Sequence, residues 1–151
     1  MRRSFLKILG FSFVSYLLIP LSSILAATKT LFNKNLTDEQ KDIMFNEGTE
    51  RPFSSELNKE NRKGFYHCAN CGAKLFASTA KFDSGTGWPS FSEALPGAFK
   101  TKVDRKFGMV RTEYHCAKCG VHHGHVFNDG PSATGKRFCN NGLCLIFKPS
   151  N

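Results

Sequence analysis

Residues Cys116-Ala117-Lys118-Cys119-Gly120-Val121-His122-His123-Gly124-His125-Val126-Phe127-Asn128-Asp129-Gly130-Pro131 hold half a metal clip and three histidines, and an isolated thiol follows in Arg137-Phe138-Cys139-Asn140-Asn141. The other half of the clip lies upstream, where Cys68-Ala69-Asn70-Cys71-Gly72 repeats the same Cys-Ala-x-Cys-Gly form. A two-residue spacer lets both sulfurs of one turn face a single ion, and the glycine gives the backbone room to turn. Together Cys68, Cys71, Cys116 and Cys119 complete a tetrahedral four-thiolate shell suited to one zinc ion, with iron as the alternative metal. Two independent redox pairs would have no reason to share matched turns. Four ligands close the shell to water, so the zinc is structural. Because residues 72 to 115 separate the halves, the ion ties distant strands together and does not close one small finger.

Around the knuckles the chain breaks into short aromatic or β-branched runs bounded by turn residues: 65–68, 74–76, 107–116, 126–127, 137–139 and 143–147. Such runs read as strands of an antiparallel sheet. The longest alternates faces, Phe107, Met109, Arg111 and Glu113 on one side and Val110, Thr112 and Tyr114 on the other. Fifteen phenylalanines supply an aromatic core. Upstream, Thr37 with Gln40 forms a capping box for a short helix that Gly48 is placed to close, with Ile43, Met44 and Phe45 as packing groups. Residues 49 to 63 lack an apolar period and read as loop.

The N-terminus places Arg2, Arg3 and Lys7 ahead of the apolar run Ile8 to Ile19, which Pro20 breaks and Ser22, Ser23, Ala26 and Ala27 follow. This is an export-signal layout, and the run falls short of the about 20 apolar residues of a membrane span. Arg2-Arg3 followed by Phe5-Leu6-Lys7 resembles a twin-arginine signal, which exports proteins already folded. Zinc would then load in the reducing cytoplasm before the protein reaches the periplasm. The expected organisation is an export signal over residues 1–27 and one domain over 28–151. The alternative is an uncleaved leader anchoring the domain to the inner membrane; otherwise membrane contact is transient. Losing the leader's three cations takes the net charge from +9 to +6. Lys59, Arg62 and Lys63 lie beside Glu56 and Glu60, a solvated surface and not the clustered basic face of a nucleic-acid binder.

The metal leaves Cys139 and Cys144. A free cysteine most often fills space in a core. Arg137, two residues before Cys139, shares its face in a strand; a cation there favours the nucleophilic thiolate, although it would serve equally as a surface ion-pair partner. His122 and His125, three apart around Gly124, can serve one pocket as proton donors or acceptors near neutral pH, or one of them caps a turn. His123 points elsewhere in an extended chain. In Asp83-Ser84-Gly85-Thr86-Gly87-Trp88-Pro89-Ser90-Phe91, two glycines allow a tight turn and present the only tryptophan from a loop, where an aromatic side chain more often lines a ligand pocket than fills a core. Thiol, histidines and indole together suit a substrate with a small apolar group beside a polar, reducible one.

Thr49-Glu50-Arg51-Pro52-Phe53, Lys81 to Gly85 with Gly87 to Phe91, Gly124 to Pro131, Arg137-Phe138-Cys139 with Asn141, and the two knuckles together resemble methionine sulfoxide reductases of the B type, over residues 36 to 148. The resemblance implies a mainly β, β-tent (Mss4-like) fold of two antiparallel sheets with a structural zinc and short peripheral helices. It also implies reduction of the R epimer of methionine sulfoxide in proteins or peptides by a monomer. Cys139 would attack the sulfur and become a sulfenic acid. Trp88 and Phe127 would bind the substrate, His122, His125 and Asn141 would orient it and handle the proton at oxygen, and Arg137 would support the thiolate. A thioredoxin-like protein or another thiol would restore the enzyme.

One position departs from that family. Thr86 stands where many members carry the cysteine that resolves the sulfenic acid, which leaves Cys144 as the remaining partner. In one straight strand Cys139 and Cys144 would lie about 16 Å apart, beyond the about 7 Å between Cα atoms that a disulfide spans. A two-residue turn at Asn141-Gly142 would instead set them opposite each other. Cys144 is thus either the resolving thiol or a packing group. The competing functions are a zinc-stabilised binding module without a catalytic thiol, and a thiol-disulfide oxidoreductase using Cys139 and Cys144.

Overall fold

The computed structural model describes residues 28–131 and 134–150. The export-signal reading falls on residues 1–27, outside the described residues. No helix among the described residues is long and apolar enough to cross a membrane.

Helix α1 (Asp38–Asn46) begins at the predicted capping box: Thr37 Oγ1 accepts from Gln40 N at 3.1 Å, and Gln40 Oε1 accepts from Thr37 N at 3.0 Å. Ile43 and Met44 are buried beneath it. The helix closes one residue earlier than expected, because Glu47 and not Gly48 takes the left-handed conformation, with φ 62°. The Glu47 side chain is held there by Lys29, Lys102 and Lys106 at 3.2, 2.5 and 2.6 Å, contacts that offset the strain of a non-glycine residue in that region.

Nine strands follow among the described residues: β1 (Gly64–Cys68), β2 (Lys74–Ala77), β3 (Lys81–Phe82), β4 (Ser90–Phe91), β5 (Phe99–Asp104), β6 (Arg111–Cys116), β7 (His122–Phe127), β8 (Arg137–Asn140) and β9 (Leu145–Pro149). They form a three-stranded sheet of order β2-β1-β9 and a six-stranded sheet of order β3-β4-β8-β7-β6-β5, with antiparallel pairing throughout. The mainly β, two-sheet expectation is therefore met. Aromatic rings fill the space between the sheets. Phe76 of β2 stacks on Phe91 of β4 with centroids 4.0 Å apart, while Tyr66 of β1 meets the same ring edge-on at 4.9 Å.

Three local expectations change. The strand predicted from Phe107 begins at Arg111, because Lys106–Gly108 forms a 3₁₀ turn in which Gly108 has φ 71°. The segment read as loop holds a 3₁₀ turn at Glu56–Lys59, capped by Ser55. Asn141-Gly142 makes no hairpin: Gly142–Cys144 is a 3₁₀ turn that carries the chain from β8 in the large sheet to β9 in the small one. Its cause is Glu50, whose carboxylate accepts from Gly142 N at 2.5 Å and Leu143 N at 3.0 Å and so tethers both amides to a distant segment.

Candidate active site and metal centre

The knuckles adopt matched turns. Gly72 N donates to Cys68 O at 2.9 Å and Gly120 N to Cys116 O at 2.8 Å, and both glycines have positive φ, 71° and 74°. Each pair joins the end of one strand to the turn after it, β1 in the small sheet and β6 in the large sheet. The four Sγ atoms all lie within 4.8 Å of one another, with Cys68–Cys119 at 3.8 Å and Cys71–Cys116 at 3.6 Å. Sulfurs at about 2.3 Å from a tetrahedral zinc are separated by about 3.8 Å, so these residues fit the ion. The protein thus has one structural zinc site, and the ion pins the two sheets to each other.

At the far end of β8, Cys139 borders a cavity of about 140 Å³ lined by Thr49, Trp88, Arg111, Gly124, His125, Phe127, Asn140 and Asn141. Strand pairing builds this wall. Cys139 lies opposite His125 of β7 on one side and Ser90 of β4 on the other, which places thiol, imidazole and the segment after Trp88 side by side. The glycine loop behaves as its sequence suggests, with Gly85 at φ 69° and Gly87 at φ 92°, and the indole Nε1 of Trp88 is fixed by donating to Glu50 O at 3.1 Å. Gly124 has no spare room: a Cβ there would sit 1.9 Å from Cys139 O, so only glycine lets β7 approach β8 at the cavity.

Burial pushes the Cys139 thiol above its ordinary value, against the pull of Arg137 and of a hydrogen bond from Thr86. Arg137 also grips Asp129 with two bonds of 2.9 Å and stacks its guanidinium over Phe127 at 4.5 Å. It therefore reaches Cys139 from beside the cavity and is not among the lining residues.

The histidines take three different places. His125 lines the cavity and its Nε2 lies 2.8 Å from Asp104 Oδ2, which leaves Nδ1 as the other ring nitrogen. Burial lowers its pKa, with Asp104 pulling upward. Burial also acts against Asp104's charge, yet the Lys106 amide, His125 and Arg111 hold that carboxyl down to about 2. His122 is buried behind the lining, its Nδ1 3.0 Å from Glu113 Oε1 at ion-pair distance but without hydrogen-bond alignment, and its ring is 5.5 Å from that of His125. His123 is fully buried and pushed down to about 4 by that burial, a neutral core group whose carbonyl accepts from Asn141 N and Nδ2.

Residues 36–149 match the SelR domain family. The chain is 59% identical over 101 residues to the peptide methionine sulfoxide reductase MsrB of Variovorax paradoxus (strain S110), covering 66% of this chain and 74% of that protein. It is 50% identical over 125 residues to the protein of that name from Thiobacillus denitrificans, covering 82% and 95%, and 49% identical over 118 residues to that of Methanosarcina barkeri, covering 78% and 83%. The chain belongs to the SelR-domain family of B-type methionine sulfoxide reductases.

Within that family frame, Trp88, Phe127, His125, Cys139 and Asn141 meet at one cavity, while His122 and Arg137 stand behind or beside it. Asn141 is more constrained than a substrate ligand need be. Its Oδ1 accepts from Glu50 N at 3.1 Å and its Nδ2 donates to His123 O at 3.1 Å, leaving one amide hydrogen. Cys144 is fully buried in the turn between the sheets, its thiol donating to His122 O at 3.5 Å, and burial raises its pKa well above the ordinary value. The paired hairpin that would have set it opposite Cys139 is absent among the described residues.

Sequence reading missed Thr49, Arg111, Asn140, Asp104 and the structural part played by Glu50. Arg111 lines the cavity and donates to Asp104 Oδ2 at 2.7 Å, and its Nε is buried with no acceptor. Alternation along β6 placed Arg111 and Glu113 on one face, but nothing in the sequence said which face meets the cavity.

Proposed function

We propose that the protein reduces the R epimer of methionine sulfoxide in oxidised proteins and peptides, with Cys139 as the nucleophile, and so repairs oxidative damage. It is a peptide-methionine (R)-S-oxide reductase. The observation that carries the residue assignment is a cavity of side-chain size that holds one thiol between an indole and an imidazole–carboxylate pair. Trp88 and Phe127 offer apolar faces to the substrate's terminal methyl group. The sulfoxide oxygen turns toward His125.

As the Cys139 sulfur attacks the sulfoxide sulfur, the S–O bond weakens and the oxygen needs a proton, because an oxide is a poor leaving group. His125, held by Asp104, supplies it from the fraction that is protonated, which its lowered pKa makes the smaller one at neutral pH; a positioned acid contributes about 10² to 10⁴-fold. The protonated oxygen departs as water, which then attacks the Cys139 sulfur; the bond between the two sulfurs breaks, the substrate leaves as the thioether and Cys139 is left as a sulfenic acid, so two electrons pass from cysteine to sulfoxide. Arg137 and Thr86 stabilise the sulfur while it carries charge. Two equivalents of an external thiol, from a thioredoxin-like protein or a small molecule, then give disulfide and water and restore Cys139. The burial of Cys144 in the turn between the sheets supports this route over an internal disulfide. The four-thiolate zinc has no open position and serves as a cross-link, held by Cys68, Cys71, Cys116 and Cys119.

The leader sequence supports export by the twin-arginine route to the periplasm, with the folded domain acting there as a monomer. A fusion of residues 1–27 to a reporter should be exported, and Arg2→Lys with Arg3→Lys should block it; export indifferent to both changes would reject that route.

The enzymatic reading is tested by single turnover without added reductant, using separate R- and S-sulfoxide peptides and intact mass. Up to one methionine per protein from the R epimer alone, with a gain of one oxygen at Cys139, is expected. Loss of two hydrogens would implicate Cys144 instead. Turnover should vanish in Cys139→Ser and survive in Cys144→Ser. No methionine from either epimer by a folded, zinc-loaded protein would favour a binding module.

A further inference from the structure

A line of hydroxyls leads away from the nucleophile. Ser90 Oγ donates to Trp88 O at 3.1 Å, Ser84 Oγ lies 2.8 Å from Ser90 Oγ, and Thr86 Oγ1 lies 2.8 Å from Ser84 Oγ. At the near end Thr86 is hydrogen-bonded to the Cys139 sulfur. At the far end Ser90 is fully buried and sits directly opposite Cys139 in the pairing of β4 with β8, so the line starts and finishes at the same strand pair. Asp83 Oδ1 accepts from Gly85 N at 2.9 Å and fixes the loop between them. Ser84 and Thr86 border a separate hollow beside Arg137 and Asp129, and neither lines the substrate cavity.

Each hydroxyl has a single proton to give. A carbonyl can only accept, so Ser90 gives its proton to Trp88 O, Ser84 gives to Ser90, and Thr86 gives to Ser84. The Ser84 oxygen also accepts from Thr86 N at 3.5 Å, which turns its own proton away, toward Ser90. Thr86 then meets Cys139 as an acceptor, and the thiol's S–H closes the line. Four contacts use four protons, so the thiol is the state that fits. Once the sulfur ionises, three protons face the same four contacts. Thr86 can turn its proton to the thiolate only when a contact further along goes without one, and a hydrogen bond left unmade in a buried place is costly.

We infer that Ser84 is a positioning residue for Cys139: by taking the proton of Thr86 it holds the resting sulfur as a thiol and restrains Thr86 from supporting the thiolate. The inference rests on the reading of Cys139 as the nucleophile. The other titratable groups facing the sulfur are Arg137 of β8 with its partner Asp129, His125 of β7 with Asp104 behind it, and Tyr114 of β6. Ser84 reaches the sulfur by a different path, through Thr86. Its removal therefore changes the proton count of the line and leaves those groups as they are.

The test is the rate at which iodoacetamide alkylates Cys139 across pH in the zinc-loaded protein, read by peptide mass, with unlabelled zinc thiols as the mark of a folded chain. Ser84→Ala frees Thr86 to donate to the thiolate. Alkylation at pH 7 should rise about fivefold, the worth of one neutral hydrogen bond, and the pH profile should move to lower pH. Ser90→Ala breaks the line one step further on and should accelerate alkylation in the same direction, which keeps the test open if Ser84→Ala does not fold. In a Thr86→Val background, adding Ser84→Ala should change the rate by less than about twofold. No rise in either serine variant would overturn the inference. So would a rise that persists undiminished beside Thr86→Val, because loosening of the loop and not the proton of Thr86 would then be its cause. Alkylation needs no sulfoxide, so turnover of an R-sulfoxide peptide by the wild type decides the reductase reading separately from this one.

Discussion

Glu50 does more at the site than any residue the sequence singled out. Its N–H donates to the Asn141 amide, its carbonyl accepts from the Trp88 indole, and its carboxylate accepts from Gly142 and Leu143. Glu50→Gln keeps one carboxyl-like acceptor but turns an amide NH₂ toward a backbone N–H, leaving a buried donor unmatched. That costs about 1–3 kcal/mol, and kcat/KM should fall with it because the segment whose main chain holds Trp88 and Asn141 is no longer tied to the turn at Gly142 and Leu143; urea unfolding and steady-state kinetics would check both, and unchanged values would refute the anchor. No reading of the sequence could have found this role, since the partners lie 91 to 93 positions away. Cys139 and Arg137, by contrast, were legible because their relation is local, two residues apart in one strand. That relation carries a second prediction. With the thiol raised by burial and drawn back by Arg137 and Thr86, alkylation of Cys139 should accelerate as pH rises past the ordinary thiol value of about 8.5. In Arg137→Gln the rise should move to still higher pH; a shift downward would mean the guanidinium does not act on the sulfur.

Elements were legible where their signal is short-range. The two knuckles, the capping box and the strands β1, β2 and β8 announce themselves through spacing of two to four residues. Strand β5 was missed because it is the edge of the large sheet and exposes Lys100, Thr101, Lys102 and Val103 in succession, so no alternation marks it. Lysines on such an edge discourage pairing with another chain. The turn after Asn141 misled for a different reason: its local residues favour a hairpin, and Glu50 overrides them. How the knuckles tie β1 to β6 predicts what metal removal does. A purified protein should release one zinc per chain to a chelator on mild heating, and its melting temperature should fall by about 10 °C or more. Cys116→Ser should show the same loss without chelator. Since the ion sits on the sheet junction and not at the cavity, residual activity at low temperature should track the folded fraction. An unchanged melting temperature after full zinc release would remove the ion from the fold's support.

Across the whole molecule, excess positive charge is gathered where acid can hold it. The chain carries a formal charge of +9, and Glu47 alone draws in Lys29 from the N-terminal arm, Lys102 from β5 and Lys106 from the turn that follows. Lys102 passes the contact on to Glu113 at 3.1 Å, and Glu113 stands beside His122. One carboxylate thus fastens the end of α1 and the arm to the edge of the large sheet that carries the site. Burial acts to raise the Glu47 pKa, and the three lysines overcome it and hold the carboxyl well below the carboxylate range. A depressed folded-state pKa gives stability that is complete above the unfolded value of about 4.3 and is lost as pH falls toward the folded one. Exposed pairs are worth about 0.2–1 kcal/mol each, and two of these lysines are about half exposed, at 46% and 50%. Glu47→Gln should therefore lose about 1–2 kcal/mol in urea unfolding at pH 7. The gap between variant and wild type should hold constant down to about pH 5, narrow as pH falls further, and shrink at pH 7 in 1 M salt, where screening shortens to about 3 Å. A gap that stayed the same at pH 3 would show that packing around Glu47, and not its charge, joins the arm and helix to the sheet.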